Sequence, residues 1–383
     1  MKNVYYKSAP GDAFIRQIVL LITQSCNLNC TYCYESFKTS SFMSIEVCKK
    51  ILTSEFQYAV KDSHTSSLAI SFLGGEPLLN FELIRAVSEW LWANDWGIPY
   101  SLDVRTNGTL LTSEIRKWLV ENRERIHVAL SLDGLNAAQT ISRTDKFIDY
   151  KFFIENWPED RVRIVLVQET LPFFSETINE MVSEKIPISV DIGIGIVWSD
   201  DDAITFEKEL ASLMEVYMND LQEGKNSGIF PFDVAEFFRK TPEYYSFCAM
   251  DDNLVSYDTD GRKYACHMLT PIVIGTGKAE WLNRYGNLIE KIPVDNRCRN
   301  CPIYGVCKQC PAMNIKIHNE VAKSASASTF CKMKKVQARA CATLFLRHFQ
   351  MLHAKNAIID DLIVENAMKS IRLLKAIPEA KYL

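Results

Sequence analysis

A partial α/β barrel of six strand–helix units, followed by a small cysteine-rich section and C-terminal helices, is the architecture this 383-residue sequence predicts. Three observations carry that expectation. Apolar, β-type runs alternate with amphipathic helical patterns from about residue 17 to 197, the signature of βαβ units on a parallel sheet. A short polar motif stands at the carboxyl end of each of the six runs, the rim on which parallel barrels assemble their sites. Cysteines fall into two groups, three at 26–33 and seven at 248–331, with none between Cys48 and Cys248.

The expected strands are 16–22, 68–73, 101–105, 127–132, 163–168 and 188–197. Amphipathic patterns at 44–59, 81–92 and 113–122 supply helices between them. Six units make an open barrel, short of the closed eight. "CNLNCTYC" follows the first strand, "GGEP" (74–77) the second and "TNG" (106–108) the third. "SLDG" (131–134) closes the fourth, "QET" (168–170) the fifth, and "GIGIVW" (193–198) overlaps the sixth. Residues 203–247 read as a helical connector, and 333–383 as about two packed helices.

Bulk properties narrow the function classes. Apolar residues make up 48%, enough for a large core, and the net charge of −4 gives no general drive toward nucleic acid or anionic membrane. The runs "DDD" (200–202) and "KMKK" (332–335) read as solvated faces. The start, "MKNVYYKSAPGDAF", lacks the order of a signal peptide, and the apolar run 17–22 is too short to span a bilayer. A cytoplasmic protein is expected. Twelve cysteines in a reducing compartment point to metal or redox chemistry, not to disulfides.

The first group holds three thiols within eight residues, Cys26-x3-Cys30-x2-Cys33. A closed zinc site wants four protein ligands. His64, the one histidine before position 127, is a candidate for the fourth, but nothing in its spacing recommends it. A [4Fe–4S] cube held by three cysteines instead keeps one iron free for another ligand. With Tyr32 just before the last cysteine, the motif resembles the signature of the radical S-adenosylmethionine (SAM) superfamily. That resemblance implies that the free iron chelates the amino and carboxylate groups of SAM. It implies too that an electron from the cluster cleaves a C–S bond, giving a 5′-deoxyadenosyl radical that abstracts hydrogen from substrate.

The other rim motifs agree. Gly74, Gly75, Glu76 and Pro77 resemble the family's second-strand motif, and Thr106 and Asn107 resemble the pair that meets the ribose and carboxylate. Ser131 and Asp133 occupy a similar place on the fourth strand, and Gln168 stands at the end of the fifth. Arg143 matches an arginine aimed at the cofactor carboxylate, an anion that a guanidinium fork suits. Gln139-Thr140 stands where the family often has His-Asp.

The second group, Cys248, Cys266, Cys298-x2-Cys301-x5-Cys307-x2-Cys310 and Cys331, suits structural zinc as well as iron–sulfur when read alone. Beside the first motif it resembles the SPASM extension of radical enzymes, with two auxiliary clusters. The family pattern implies that Cys298, Cys301, Cys307 and Cys331 close one cluster. It gives Cys248, Cys266 and Cys310 to the other, whose fourth position is open, taken by substrate, or filled by Asp251 or Asp252. Three [4Fe–4S] clusters follow. Cys48 and Cys341 read as small core residues. The expected domains are a radical SAM barrel at 1–202, a bridge at 203–247, a SPASM domain at 248–340 and C-terminal helices at 341–383.

The resemblance implies an oxidoreductase that modifies a precursor peptide made on the ribosome, with a thioether or carbon–carbon cross-link first in line. A formylglycine-generating sulfatase maturase is an alternative, weakened because His267, a weak catalytic candidate, follows Cys266 where that branch has an aspartate. A small molecule or carbohydrate substrate is another. Expected partners are the peptide, a one-electron donor such as flavodoxin or ferredoxin, and a separate leader-binding protein, since only 25 residues precede the first cysteine.

Overall fold

The computed structural model describes residues 14–135, 137–223, 232, 253–284, 298, 300–304, 307, 310–318, 328–355 and 361–377. Its order is β1 (Phe14–Thr23), α1 (Ile45–Lys61), β2 (Thr65–Gly74), α2 (Phe81–Trp92), β3 (Tyr100–Thr106), α3 (Ser113–Glu121), β4 (His127–Leu130), α4 (Ala137–Ser142), α5 (Tyr150–Asn156), β5 (Val162–Leu166), α6 (Phe174–Ser183) and β6 (Ile188–Ile192). β1 to β4 pair in parallel as neighbours in chain order, and β5 pairs in parallel with β6. A single parallel bridge between Ser131 and Arg163 joins the two sets. Six parallel strands therefore stand in sequence order, as the alternating pattern predicts.

Strand alternation assigns the two faces. Ile18, Leu20, Ile22, Ile70, Phe72, Leu102, Val104, Val128 and Leu130 are buried in one core with Leu52 and Phe56 of α1 and Leu83, Val87 and Leu91 of α2. Each such side chain contributes about 1.5–3 kcal/mol by leaving water. The opposite parity carries Ser71, Asp103, Arg105, Ser131, Arg163 and Asp191. The barrel interior is thus partly polar, with apolar Val19, Leu21 and Val165 at the same parity, unlike the fully packed interior of a closed eight-stranded barrel.

Local signals set the helix ends. Ser44 caps α1 by accepting from the Val47 N–H. Ser199 and Asp202 form a capping box on α7 (Asp200–Gln222). The aspartate run 200–202 is a helix first turn, where negative charge interacts favourably with the dipole, and Asp200 and Asp201 are exposed as a solvated face. Asp200 also pairs with Lys332. The "KMKK" run is likewise part of the packing: Met333 is fully buried, and buried Lys334 donates to Gln337. The sixth strand ends at Ile192, and "GIGIVW" is a turn whose Gly193 carbonyl accepts from buried Trp198. After α7 come α8 (Pro271–Ile274), α9 (Thr276–Arg284) and α10 (Pro311–His318); helices α11 (Ser328–Ala354) and α12 (Asp361–Ala376) pack on each other, and α11 packs on α7. The expected boundaries at 202/203 and 340/341 both fall inside continuous helices that neither glycine nor proline interrupts. Among the described residues no helix is long and apolar enough to cross a membrane.

One feature of the cysteine-rich section departs from the expectation of a separate unit. Its first strand, β7 (Leu254–Tyr257), pairs in parallel with β1 as a seventh strand of the barrel sheet, and β8 (Lys263–Tyr264) turns back antiparallel to it. Gln24 Nε2 donates to Asp258 Oδ1 at 2.7 Å, and the Ser41 and Thr259 hydroxyls lie 2.7 Å apart. Buried Glu55 of α1 accepts from Arg16 Nε at 2.6 Å and from the Tyr257 hydroxyl. Burial alone would raise the Glu55 pKa, but these bonds outweigh it and hold the carboxyl below its ordinary value. A lowered carboxylate pKa stabilises above the unfolded value, and the contribution is lost as pH falls through the folded one. Glu55→Ala, which strands Arg16, is expected to cost about 3 kcal/mol at neutral pH in urea unfolding. The difference from wild type should shrink as pH falls below about 4.

Candidate active site

The loop after β1 carries the first three cysteines and is braced on several sides. Thr23 Oγ1 accepts from the Ser25 N–H at 3.0 Å, the Thr31 N–H bonds the Ser142 carbonyl at 3.0 Å, and Asn27 Nδ2 donates to Thr109 Oγ1 at 2.7 Å. Lys38 Nζ donates to Cys33 Sγ at 3.0 Å. Burial pushes the Cys26 thiol up to about 11 and raises Cys30 as well. His64 bonds exposed at Asp62, and its carbonyl accepts from Phe14 at the opposite end of β1, so it is no partner of this loop.

The glycines of "GGEP" are required by this loop. A Cβ on Gly74 would stand 2.3 Å from the Thr23 carbonyl oxygen, and one on Gly75 2.3 Å from that of Ser25. Glu76, which follows, is 1% exposed. Its Oε1 accepts from Thr106 Oγ1 at 2.7 Å and from the Leu78 N–H at 3.1 Å; its Oε2 accepts from the Asn107 N–H at 2.8 Å. Asn107 in turn donates to Asn27 Oδ1 at 3.0 Å and accepts from Thr109. Pro77 opens the buried turn behind Glu76. Side chains expected to meet a cofactor thus also lock the ends of β2 and β3 to the cysteine loop.

Asp133 is a second hub. Its Oδ2 accepts from the Tyr32 hydroxyl at 2.6 Å, Ser142 Oγ at 2.8 Å and Arg143 Nε at 2.9 Å, while Oδ1 accepts from the Val165 N–H at 3.0 Å. Gln139 accepts the Asp133 N–H at 2.9 Å, which gives a framework role to the residue standing where the resemblance expects histidine. Arg143, fixed at Nε and stacked 5.4 Å from the Tyr32 ring, lines the central cavity. A guanidinium so anchored suits a carboxylate ligand.

That cavity, about 480 Å³, brings together Cys26, Cys30, Tyr32, Cys33, Gly74, Gly75, Glu76, Thr106, Asn107, Ser131 and Arg143. Across it lie His267, Met268, Cys310 and Met313 from the cysteine-rich section. Gln168 is not among its walls: it is exposed and donates to Asp202 at 2.7 Å. β5 faces the cavity with Arg163 and Val165 instead, and β6 with Asp191. Arg163 Nη1 and Asp191 Oδ2 pair at 2.8 Å. Arg105, Arg163 and Asp191 were not marked by any motif; their signal was a charge at inward parity in an apolar strand. His267 is half-buried on the cavity wall, and desolvation there lowers its pKa to about 4, so the imidazole is neutral near pH 7; Nδ1 lies 3.8 Å from Cys266 Sγ.

The remaining cysteines separate into two places. Cys307 lies within electrostatic reach of Cys331, Cys301, Cys298 and Lys334, and burial pushes its thiol up to about 12. Cys266 and Cys310 share a different core cluster, with Tyr264 and Ile315. Cys248, Asp251 and Asp252 lie outside the described residues. Cys48 and Cys341 are fully buried core residues. Among the described residues no three His, Cys, Asp or Glu side chains converge to hold a single metal ion. A cubane asks for something else, one thiolate per iron around a cage. Three thiols on one cavity wall, braced by Lys38, fit such a group.

Residues 20–182 match the radical SAM superfamily model. Solved structures share the fold over most of the chain. The structure of anSMEcpe with bound AdoMet superposes with a TM-score of 0.64 at 17% identity, covering 93% of this chain and 98% of that one. The same protein has been solved with AdoMet and the Cp18Cys peptide. Streptococcus suis SuiB bound to precursor peptide SuiA gives a TM-score of 0.51 at 18% identity, covering 81% and 74%. In sequence, the radical SAM cyclopropyl synthase TigE of Paramaledivibacter caminithermalis is 22% identical over 76% of this chain and 67% of its own. Other relatives include GTP 3′,8-cyclases. An uncharacterized protein of Methanocaldococcus jannaschii is 32% identical over 121 residues, and the chain spans 40% of its length.

Proposed function

We propose that this chain is a maturase that modifies a precursor peptide made on the ribosome, with a thioether or carbon–carbon side-chain cross-link as the leading product. One observation carries the reading: a single cavity joins the wall of Cys26, Cys30 and Cys33 to Cys310 and His267 of the second cysteine section. The bound peptides in the similarly folded anSMEcpe and SuiB support it. In this reading Cys26, Cys30 and Cys33 hold the first [4Fe–4S] cluster, and Cys298, Cys301, Cys307 and Cys331 hold an auxiliary one. Cys266, Cys310 and Cys248 hold the other. When bound, cluster and SAM together supply a 5′-deoxyadenosyl radical that takes a hydrogen atom from substrate. The protein's own work is to bind, aim and keep water out. Arg143, steadied by Asp133 and Tyr32, takes the cofactor carboxylate; Thr106, Asn107 and Ser131 line the ribose side; neutral His267 is placed to accept a proton. The domain division in this reading, a barrel through 202, a bridge to 247, a SPASM section to 340 and terminal helices, follows the sequence motifs, and its first and last boundaries cut through helices 200–222 and 328–354. A one-electron donor such as flavodoxin or ferredoxin supplies electrons.

A small-molecule substrate is the second reading, favoured by a cavity volume within the range of small-ligand sites and by charged Arg105, Arg163 and Asp191 in its wall. Anaerobically reconstituted enzyme with dithionite and SAM is expected to release 5′-deoxyadenosine. A short peptide encoded beside this gene should lose about two mass units on cross-linking, for two hydrogens lost with the new bond. Deoxyadenosine without any change in such a peptide favours the small-molecule reading. No deoxyadenosine from enzyme with intact clusters sinks both.

A further inference from the structure

The loop following Cys33 is fixed from both sides. The Phe37 N–H bonds the Ile272 carbonyl at 2.9 Å, in the cysteine-rich section, and the Thr39 N–H bonds the Gln24 carbonyl at 3.3 Å, at the end of β1. Lys38, between them, is half-buried, and its ammonium is shared by Cys33 Sγ at 3.0 Å and the Glu35 carbonyl oxygen at 3.1 Å. A second cation arrives from α10 (Pro311–His318): Lys316 Nζ donates to the Tyr34 carbonyl and, at 2.8 Å, to Ser36 Oγ. Two lysines from different parts of the chain therefore converge on the stretch beginning at Cys33. The charge beside this thiol is a constructed feature of the fold.

We propose that Lys38 is a positioning residue that raises the reduction potential of the cluster held by Cys33. The inference rests on the reading of Cys26, Cys30 and Cys33 as cluster ligands and goes beyond it. Hydrogen bonds to ligand sulfurs and the net charge around a cluster are among the quantities that set its potential. A cation in charge-assisted contact with the sulfur favours the state carrying one more electron. The half-buried setting leaves that interaction poorly screened by salt. Lys316 adds to the same field at longer range, so docking of α10 against the cysteine loop also favours electron entry from a one-electron reductant.

The test is a redox titration of the anaerobically reconstituted full chain, following the electron paramagnetic resonance signal that changes when SAM is added. Lys38→Met is expected to hold the same iron but to be harder to reduce. At the wild-type midpoint its reduced-to-oxidised ratio should fall about tenfold, a shift of about 59 mV to more negative potential for one electron. Lys38→Arg should stay near wild type, and Lys316→Met should shift in the same direction by less. An unchanged midpoint in Lys38→Met overturns the proposal. Should that variant lose iron, Lys38→Gln, which keeps a donor without the charge, takes its place, and an unchanged midpoint there overturns it equally. A wild-type enzyme that loads iron yet shows no SAM-sensitive signal would instead defeat the cluster reading itself.

Discussion

Cys30→Ala is expected to abolish 5′-deoxyadenosine formation and to remove about four irons from a total of about twelve per chain. Cys30 stands within electrostatic reach of Cys33 and Arg143, on the wall where the cofactor would sit. With one thiol missing, only two protein ligands remain for the cage. Cys301→Ala provides the contrast. It belongs with Cys298, Cys307 and Cys331, away from the cavity wall. Its loss should remove a similar amount of iron while sparing part of the deoxyadenosine release. Iron analysis and chromatography of the nucleoside check both variants. Deoxyadenosine from Cys30→Ala would refute the assignment of the first site; about four irons with zinc in the wild type would keep that site and remove the auxiliary pair.

The strand–helix alternation was legible because each unit hides an apolar face on the same helical layer, and strand parity follows directly from that. On β3, Leu102 and Val104 of the core alternate with Asp103 and Arg105, as a strand with one face on a helical layer must show. The rim motifs were legible as a group. What they do individually was not. Glu76 and Asp133 look like ligand contacts when only their position at a strand end is known, yet their bonds run to Thr106, Asn107, Tyr32, Ser142 and Arg143, residues up to 101 positions away in sequence. The insertion of β7 beside β1 was hidden for the same reason: Gln17 to Leu254 is a pairing that no local pattern encodes. Gln168 was marked because it ends a strand, but its side chain turned to Asp202 once α7 was capped there. Lys38 carried no signal, since a lysine five residues past a cysteine is ordinary until the loop folds back on itself.

Asp133→Ala is expected to destabilise the apoprotein by about 3–5 kcal/mol, because it leaves the Arg143 charge buried without its partner. The Arg143 side chain is 9% exposed and that of Asp133 1%, so water offers little compensation. Tyr32 and the Val165 N–H lose their acceptor in the same step, while Ser142 keeps only the Ala138 carbonyl. Asp133→Asn repairs little: an amide presents one oxygen, so either the three donors at Oδ2 or the Val165 N–H must face an NH₂ group. Ser142→Ala removes one donor and leaves the ion pair standing, which should cost about 1 kcal/mol. Urea unfolding of the metal-free chain under reducing conditions ranks the three without involving the cluster. SAM binding to reconstituted protein supplies the second reading. An Asp133→Asn enzyme that folds and holds iron should bind SAM at least tenfold more weakly, since Arg143 is then free to swing from the cavity wall. Stability of Asp133→Ala within about 1 kcal/mol of wild type would show that Arg143 finds its water elsewhere. Asp133 would then be a contact like any other, and the rigidity assigned to Arg143 would have to come from its stacking on Tyr32 alone.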